Sequence, residues 1–430
     1  MCGSGWQLQK LYLFKLFKKE VSLSSKWKTE NWFVSPWNYL EEIVQGYSFA
    51  PKIKIHDMTL RDGEQQAGVE LRKDEKIRIA EALAEAGVHR IEAGMPAVSK
   101  QDKEAIQEIV KRNLGPEIFA FCRCVEEDVR QASDCGVTGI IIEIPASDHI
   151  IKNAYQWPLE KAVDLSVKAT SLAKELGLYT AFFTIDGTRA EIGWLLSLLE
   201  KVATEGHMDS LVLVDTMGVA NPASIRYFVS KVREKFSNPL EVHFHNDFGL
   251  AVANTLEALS MGVEVAHVTV CGIGERSGSA ALEELVLSLL TLYGQDVGMN
   301  YERLFELSQL VISLTGHALA SNKPVVGNDL YTIESGIPAA WTTRCKGDLI
   351  TEVLPVHWKL TGHPGLQIVL GKGSGVASVE IWLDRLGINA TQQEIENLTL
   401  LVKEKSLEKK GLVTEEEFRE LVEKAIGGEK

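Results

Sequence analysis

From residue 52 onward, short apolar runs rich in β-branched residues alternate with longer stretches whose apolar positions recur every three or four residues. The first pattern predicts buried strands and the second amphipathic helices. Eight candidate strands result: Lys52–Leu60, His89–Gly94, Ile118–Cys122, Gly139–Ile144, Tyr179–Thr184, Ser210–Val214, Glu241–His245 and Val265–Val270. Between them lie stretches such as KDEKIRIAEALAEAG and PLEKAVDLSVKATSLAKELG. Asp74 and Pro158 stand near their starts, and Gly87 and Gly177 where they should stop. Regular alternation of strand and helix predicts an α/β fold, a (β/α)8 TIM barrel rather than an open doubly wound sheet.

The strand rhythm stops after Thr291. Tyr301–Leu314 reads as a helix, and residues 321–375 are irregular and rich in Gly and Pro. Two helices close the chain; Thr391 with Glu394, and Thr414 with Glu417, each fit a capping box. The expected organisation is an aromatic-rich N-terminal arm (residues 1–50), a catalytic barrel (51–292) and a smaller, mainly helical C-terminal region (293–430). Four of the nine tryptophans, Trp6, Trp27, Trp32 and Trp37, lie in the arm. That density predicts that the arm packs on another surface, such as a second subunit.

Charge narrows the partners. Lys plus Arg number 45 and Asp plus Glu 59, a net charge of −14 with no long basic block, which argues against nucleic acid and anionic membrane. No apolar run is long enough to span a bilayer. The N-terminal apolar patch is broken by Lys15 and has no small-residue cleavage site, so a secretory leader is not expected. The six cysteines (Cys2, Cys122, Cys124, Cys135, Cys271 and Cys345) form no disulfide framework, which suits a reducing cytosol. Cys122 and Cys124 read as strand residues before they read as a metal pair.

Polar residues gather where the candidate strands end, which is where such barrels carry chemistry. Arg61 and Asp62 follow the first strand, and Glu92 closes the second. Ser147, Asp148 and His149 follow the fourth, Asp186 and Arg189 the fifth, and Asp215 and Thr216 the sixth. Glu275 and Arg276 follow the eighth. In VHFHNDFG, His243 and His245 are two apart and so face one way along a strand. Two such imidazoles suit a divalent ion, with Asp62 as third ligand and open positions left for substrate. An H-x-H strand can equally hold core histidines bonded to carbonyls, and charges such as Asp186, Arg189 and Glu92 can be rim salt bridges. GIGERSG and GKGSG lack the spacing of nucleotide-binding loops.

TLRDGEQQAG at 59–68, VDTMGVANP at 214–222, VHFHNDFGLAVANTLEAL at 242–259 and GIGERSGSAALEEL at 272–285 resemble the 2-isopropylmalate, homocitrate and citramalate synthases. These belong to the DRE-TIM metallolyase group, with its pyruvate carboxyltransferase-type domain, which also holds 3-hydroxy-3-methylglutaryl-CoA lyase. The resemblance implies a divalent metal (Mg2+, Mn2+ or Zn2+) on Asp62, His243 and His245, a 2-oxo acid chelating it, and an acyl-CoA as co-substrate. Arg61 would stabilise the developing oxyanion, and Thr216 would hold the substrate carboxylate, with Gln65 and Ser147 as further substrate contacts. Claisen condensation followed by thioester hydrolysis is the implied reaction, in a cytoplasmic homodimer.

Three positions depart from the family pattern. The histidine usual after ESGI is Pro338, that of LGKHSG is Gly373, and the asparagine usual after GERAG is Ser279. The catalytic base is left open among His317, His357, His363 and Glu275, with His363 favoured. The long regulatory domain of many isopropylmalate synthases is not expected. A carbon–carbon lyase of the hydroxymethylglutaryl-CoA type is the main alternative; a ferrous oxygenase and a non-catalytic metal-bound barrel are others.

Overall fold

The computed structural model describes residues 26–426, so Cys2, Trp6 and Lys15 lie outside it. The described residues fall into two compact units: Tyr39–Leu319, and a second that joins residues up to Asn38 to those from Ala320 onward.

In the first unit eight parallel strands close a barrel in chain order. They are β1 (Lys54–Asp57), β2 (Arg90–Glu92), β3 (Glu117–Arg123), β4 (Gly139–Pro145), β5 (Tyr179–Ile185), β6 (Ser210–Asp215), β7 (Leu240–Phe244) and β8 (Val265–Val268). Closure comes from β1 pairing with both β2 and β8. All eight predicted strands are present. Alternate residues of the middle strands pack inward as one layer: Phe119, Phe121, Ile141, Ala181, Phe183, Val212 and Val214. Gly139 sits against that layer because a Cβ there would meet the Phe119 ring at 2.6 Å and the Tyr179 carbonyl at 2.8 Å. The other face of each strand is covered by helices such as Lys73–Ala86 and Leu159–Glu175. Gly87 ends the first of these in the left-handed region at φ 86°, where a side chain is disfavoured. Cys122 and Cys124 are buried beside the sheet, and burial pushes both thiols up.

The helix predicted near Tyr301 is Leu304–Thr315, preceded by a single 3-10 turn at Tyr301–Arg303. It belongs to the first unit.

The second unit is mainly helical. Its core joins Val379, Trp382, Leu383, Leu398, Val402 and Phe418. Both predicted capping boxes form: the Thr391 N–H donates to Glu394 at 2.6 Å and the Thr414 N–H to Glu417 at 2.8 Å. The described part of the arm pairs with its own chain. The Phe33 N–H donates to the Pro355 carbonyl at 2.9 Å, and the His357 N–H to that of Asn31 at 2.8 Å. Among the described residues no helix is long and apolar enough to cross a membrane.

Candidate metal centre and active site

The C-terminal ends of the strands bring Arg61, Asp62, Gln65, Thr216, His243 and His245 to the rim of one cavity of about 770 Å3. That volume suits a small ligand with room beside it. Donor atoms of Asp62, His243 and His245 lie within 4.8 Å of one another, and all three residues are buried.

Each donor is oriented by a neighbour. His245 Nδ1 is 3.1 Å from the Gly278 carbonyl. A carbonyl only accepts, so Nδ1 carries the proton and Nε2 presents its lone pair. His243 Nδ1 lies 3.1 Å from Met58 Sδ, which leaves its Nε2 facing that of His245 at 3.1 Å. Burial, then the neighbouring His245 and Arg61, hold the His243 imidazole well below its usual pKa, so it stays neutral. Two lone pairs at this separation require a cation or a proton between them. Donors held at right angles on one octahedral ion, each about 2.1 Å from it, would stand roughly 3.0 Å apart. The residues therefore fit a divalent ion. Ser279, where the family pattern carries asparagine, donates through Oγ to Asp62 Oδ2 at 2.7 Å and so aims the carboxylate. Gly278 permits this loop: its φ is 78°, and a Cβ would fall 1.7 Å from the Gly272 carbonyl oxygen.

Arg61 is buried beside this centre. Its Nε donates to Glu92, and its Nη1 to Asp62 at 3.2 Å and to Gln65 Oε1 at 3.0 Å. The guanidinium also stacks 4.0 Å above the Phe121 ring. Burial works against its charge, but Glu92 and Asp62 outweigh it and hold its pKa above the usual value. Thr216 Oγ1 accepts from the Asp186 N–H at 2.7 Å, leaving the hydroxyl proton to donate into the cavity.

The remaining expected residues divide between the cavity lining and other places. Ser147 is buried and donates to Asp186 at 2.6 Å, and it is not among the residues lining the cavity. Asp186 is also gripped by Arg189 at 2.6 Å, so those two form a rim ion pair. Glu275 lines the cavity and is exposed, 3.4 Å from Arg276. His363 lies in the other unit, with its Nε2 2.9 Å from the Gly327 carbonyl and its ring against Tyr331. His357 is in that unit too. His317 stays with the barrel, its Nδ1 2.6 Å from the Gln66 amide.

A second buried group, His56, Glu92 and His267, lies below Arg61. The two imidazoles stack at 4.4 Å with planes 17° apart, so their lone pairs run side by side and do not converge on an ion. His56 meets Glu92 at 3.2 Å and His267 meets Glu241 at 2.8 Å. The group therefore acts as a brace: His56 and Arg61 share the Glu92 carboxylate. In the sequence Glu92 reads equally as a functional strand-end residue and as a rim salt bridge, and His56 gives no signal inside an apolar strand.

This brace predicts acid sensitivity. Burial, then His267, lowers His56 from 6.5 to about 4, despite Glu92. The unfolded chain takes up that proton first, so the contribution is full above about 6.5 and is lost as pH falls towards 4. Glu92 is lowered from 4.5 to about 2, because Arg61 and His56 overcome burial; its contribution is lost as pH falls from 4.5 towards 2. Both slopes have the same sign. The thermal midpoint should fall steadily below pH 6.5. Phe in place of His56 should flatten the upper part of that decline; an identical profile in calorimetry would refute the brace.

Over residues 52–311 the chain matches the family described as HMGL-like. Homocitrate synthase AksA of Methanothermobacter thermautotrophicus is 36% identical over 399 residues, covering 92% of this chain and 98% of that one. The 2-isopropylmalate synthase of Methanocaldococcus jannaschii is 37% identical over 393 residues, covering 90% and 74%. The crystal structure of the Bacillus subtilis HMG-CoA lyase superposes with TM-score 0.58 at 22% identity, covering 64% of this chain and 97% of that one; it shows a shared fold. A buried aspartate and histidine pair at the barrel mouth, and this likeness across most of the sequence, place the chain in the HMGL-like family.

Proposed function

We propose that this protein is an acyl-CoA-dependent synthase that condenses an acyl group with a 2-oxo acid at a divalent metal, giving a 2-hydroxy-2-alkyl dicarboxylate. The observation that carries the reading is the Asp62–His243–His245 donor set with Arg61 beside it. Relatives of 36–37% identity across nine tenths of the chain are named homocitrate synthase and 2-isopropylmalate synthase, which supports the same chemistry. The lyase alternative draws on the family's HMGL-like description and on a likeness of fold at 22% identity, with no lyase among the relatives named above at 36–37% identity. A cytoplasmic homodimer is part of the proposal.

A divalent ion held by Asp62, His243 and His245 would polarise a ketone without proton transfer. The protein's own groups supply the rest. Arg61 is fixed by Glu92 and Gln65 with its guanidinium at the cavity, ready to offset negative charge developing on the ketone oxygen. Thr216 has a hydroxyl proton to give to the substrate carboxylate. Glu275 lines the cavity at its exposed rim and is the one of the four candidate bases found there, so we assign it proton removal from the acyl-CoA.

The test is direct. Protein supplied with Mg2+ or Mn2+, acetyl-CoA and a panel of 2-oxo acids should release free thiol with at least one of them. Thiol release with none would remove the proposal, and acetoacetate from hydroxymethylglutaryl-CoA would favour the lyase.

A further inference from the structure

Glu143 interrupts the apolar run GIIIEIP of β4. It shares parity with Ile141, a member of the inward-facing layer, so its side chain points into the barrel one step nearer the mouth. There it lines the cavity beside Phe121, Phe183 and Ile185. Among the described residues it is the one ionisable side chain that β3, β4 and β5 give to the cavity wall. Its carboxylate makes no hydrogen bond or ion pair with another described residue. Burial pushes it up to about 7; Arg61 and Arg123 act at longer range to lower it, and Glu92 and Asp128 to raise it.

Place matters as much as charge. The metal ligands stand at the ends of β1 and β7, on either side of β8, and in a closed ring of eight strands β4 is opposite β8. A 2-oxo acid anchored by its carboxylate and ketone at that centre must send its side chain across the mouth, toward Glu143. We propose that Glu143 is a specificity-determining residue that accepts a hydrogen bond from the substrate's side chain. It selects 2-oxo acids ending in a hydroxyl or amino donor and rejects 2-oxo dicarboxylates. This rests on the condensation reading above. Above about pH 7, where Glu143 is ionised, a donor satisfies its lone pairs on an otherwise apolar wall, an alkyl end leaves them without a partner, and a second carboxylate adds repulsion. Sites built around such a hydrogen bond discriminate by about 100-fold or more.

Binding to the Mn2+-loaded protein, measured by calorimetry without acyl-CoA at a pH above about 7 where Glu143 is ionised, tests this apart from turnover. The ligands are 5-hydroxy-2-oxopentanoate, 2-oxohexanoate and 2-oxoglutarate. The wild type should bind the hydroxy acid at least ~10-fold more tightly than the other two. Glu143→Leu should reverse the preference toward 2-oxohexanoate. Glu143→Gln, nearly isosteric, should gain affinity for 2-oxoglutarate through its amide donor, and carries the test should the leucine variant not fold. Unchanged ratios in the variants, equal wild-type affinity for 2-oxoglutarate and the hydroxy acid, or no binding of any of the three would overturn the assignment. Absent thiol release with the expected binding ratios would instead remove the condensation and keep Glu143 as a ligand-reading group.

Discussion

Replacing His245 with alanine is expected to lower affinity for Mn2+ at least ~100-fold, more than second-sphere losses usually do. His245 is the donor whose state the structure fixes best, since the Gly278 carbonyl holds the proton on Nδ1 and leaves Nε2 free. Removing it also leaves His243 Nε2 without the neighbour that faces it at 3.1 Å. Ser279→Ala should have a smaller effect, about 10-fold, because it frees the Asp62 carboxylate without removing a ligand. Titration calorimetry, with elemental analysis after dialysis, reads both. Wild-type stoichiometry and affinity in the His245 variant would show that the donor set holds no ion. The ranking of the two variants is informative in itself: a larger loss at Ser279 would mean that the loop bearing Gly278 and Ser279, not the histidine pair, builds the site.

Much of this was legible in the sequence because it follows from periodicity and from strand ends. Runs such as SLVLVD in β6 are buried at every position, and only a sheet covered on both faces produces that pattern. Period two put His243 and His245 on one side, and the mouth of the barrel gathered Asp62 and Arg61 beside them. Other features were hidden because they depend on pairings between distant segments. Ser147 looks like any strand-end hydroxyl until Asp186 is found to accept its proton. His363 precedes a family-like motif, and its Nε2 meets the Gly327 carbonyl of its own unit. The arm's aromatics suggested a partner surface; Phe33 and Asn31 meet residues 355 and 357 of the same chain. Glu143 did leave a trace, a lone charge in a buried strand at inward parity, masked by the apolar residues on either side of it.

Arg61→Lys should lower kcat by about 100- to 1,000-fold while leaving bound metal unchanged. Lysine keeps the charge but not the fork. Arg61 uses Nε for Glu92 and Nη1 for Asp62 and Gln65, while its plane lies on the Phe121 ring. A single ammonium cannot meet Glu92 and the cavity together, so it either stays with the carboxylate or leaves it unpaired. Either outcome removes a fixed cation from the place where an alkoxide would form, a loss of roughly 3–4 kcal/mol in transition-state stabilisation. The brace gives the second arm of the experiment. Glu92→Gln keeps Arg61 in place less firmly, because it substitutes a neutral acceptor for a buried anion that both Arg61 and His56 share. It should reduce kcat by a smaller factor, about 10-fold, with KM for the 2-oxo acid little changed. A kcat within about 10-fold of wild type for Arg61→Lys would show that a positive charge alone suffices and that the fork fixed by Glu92 and Gln65 is not what the reaction uses.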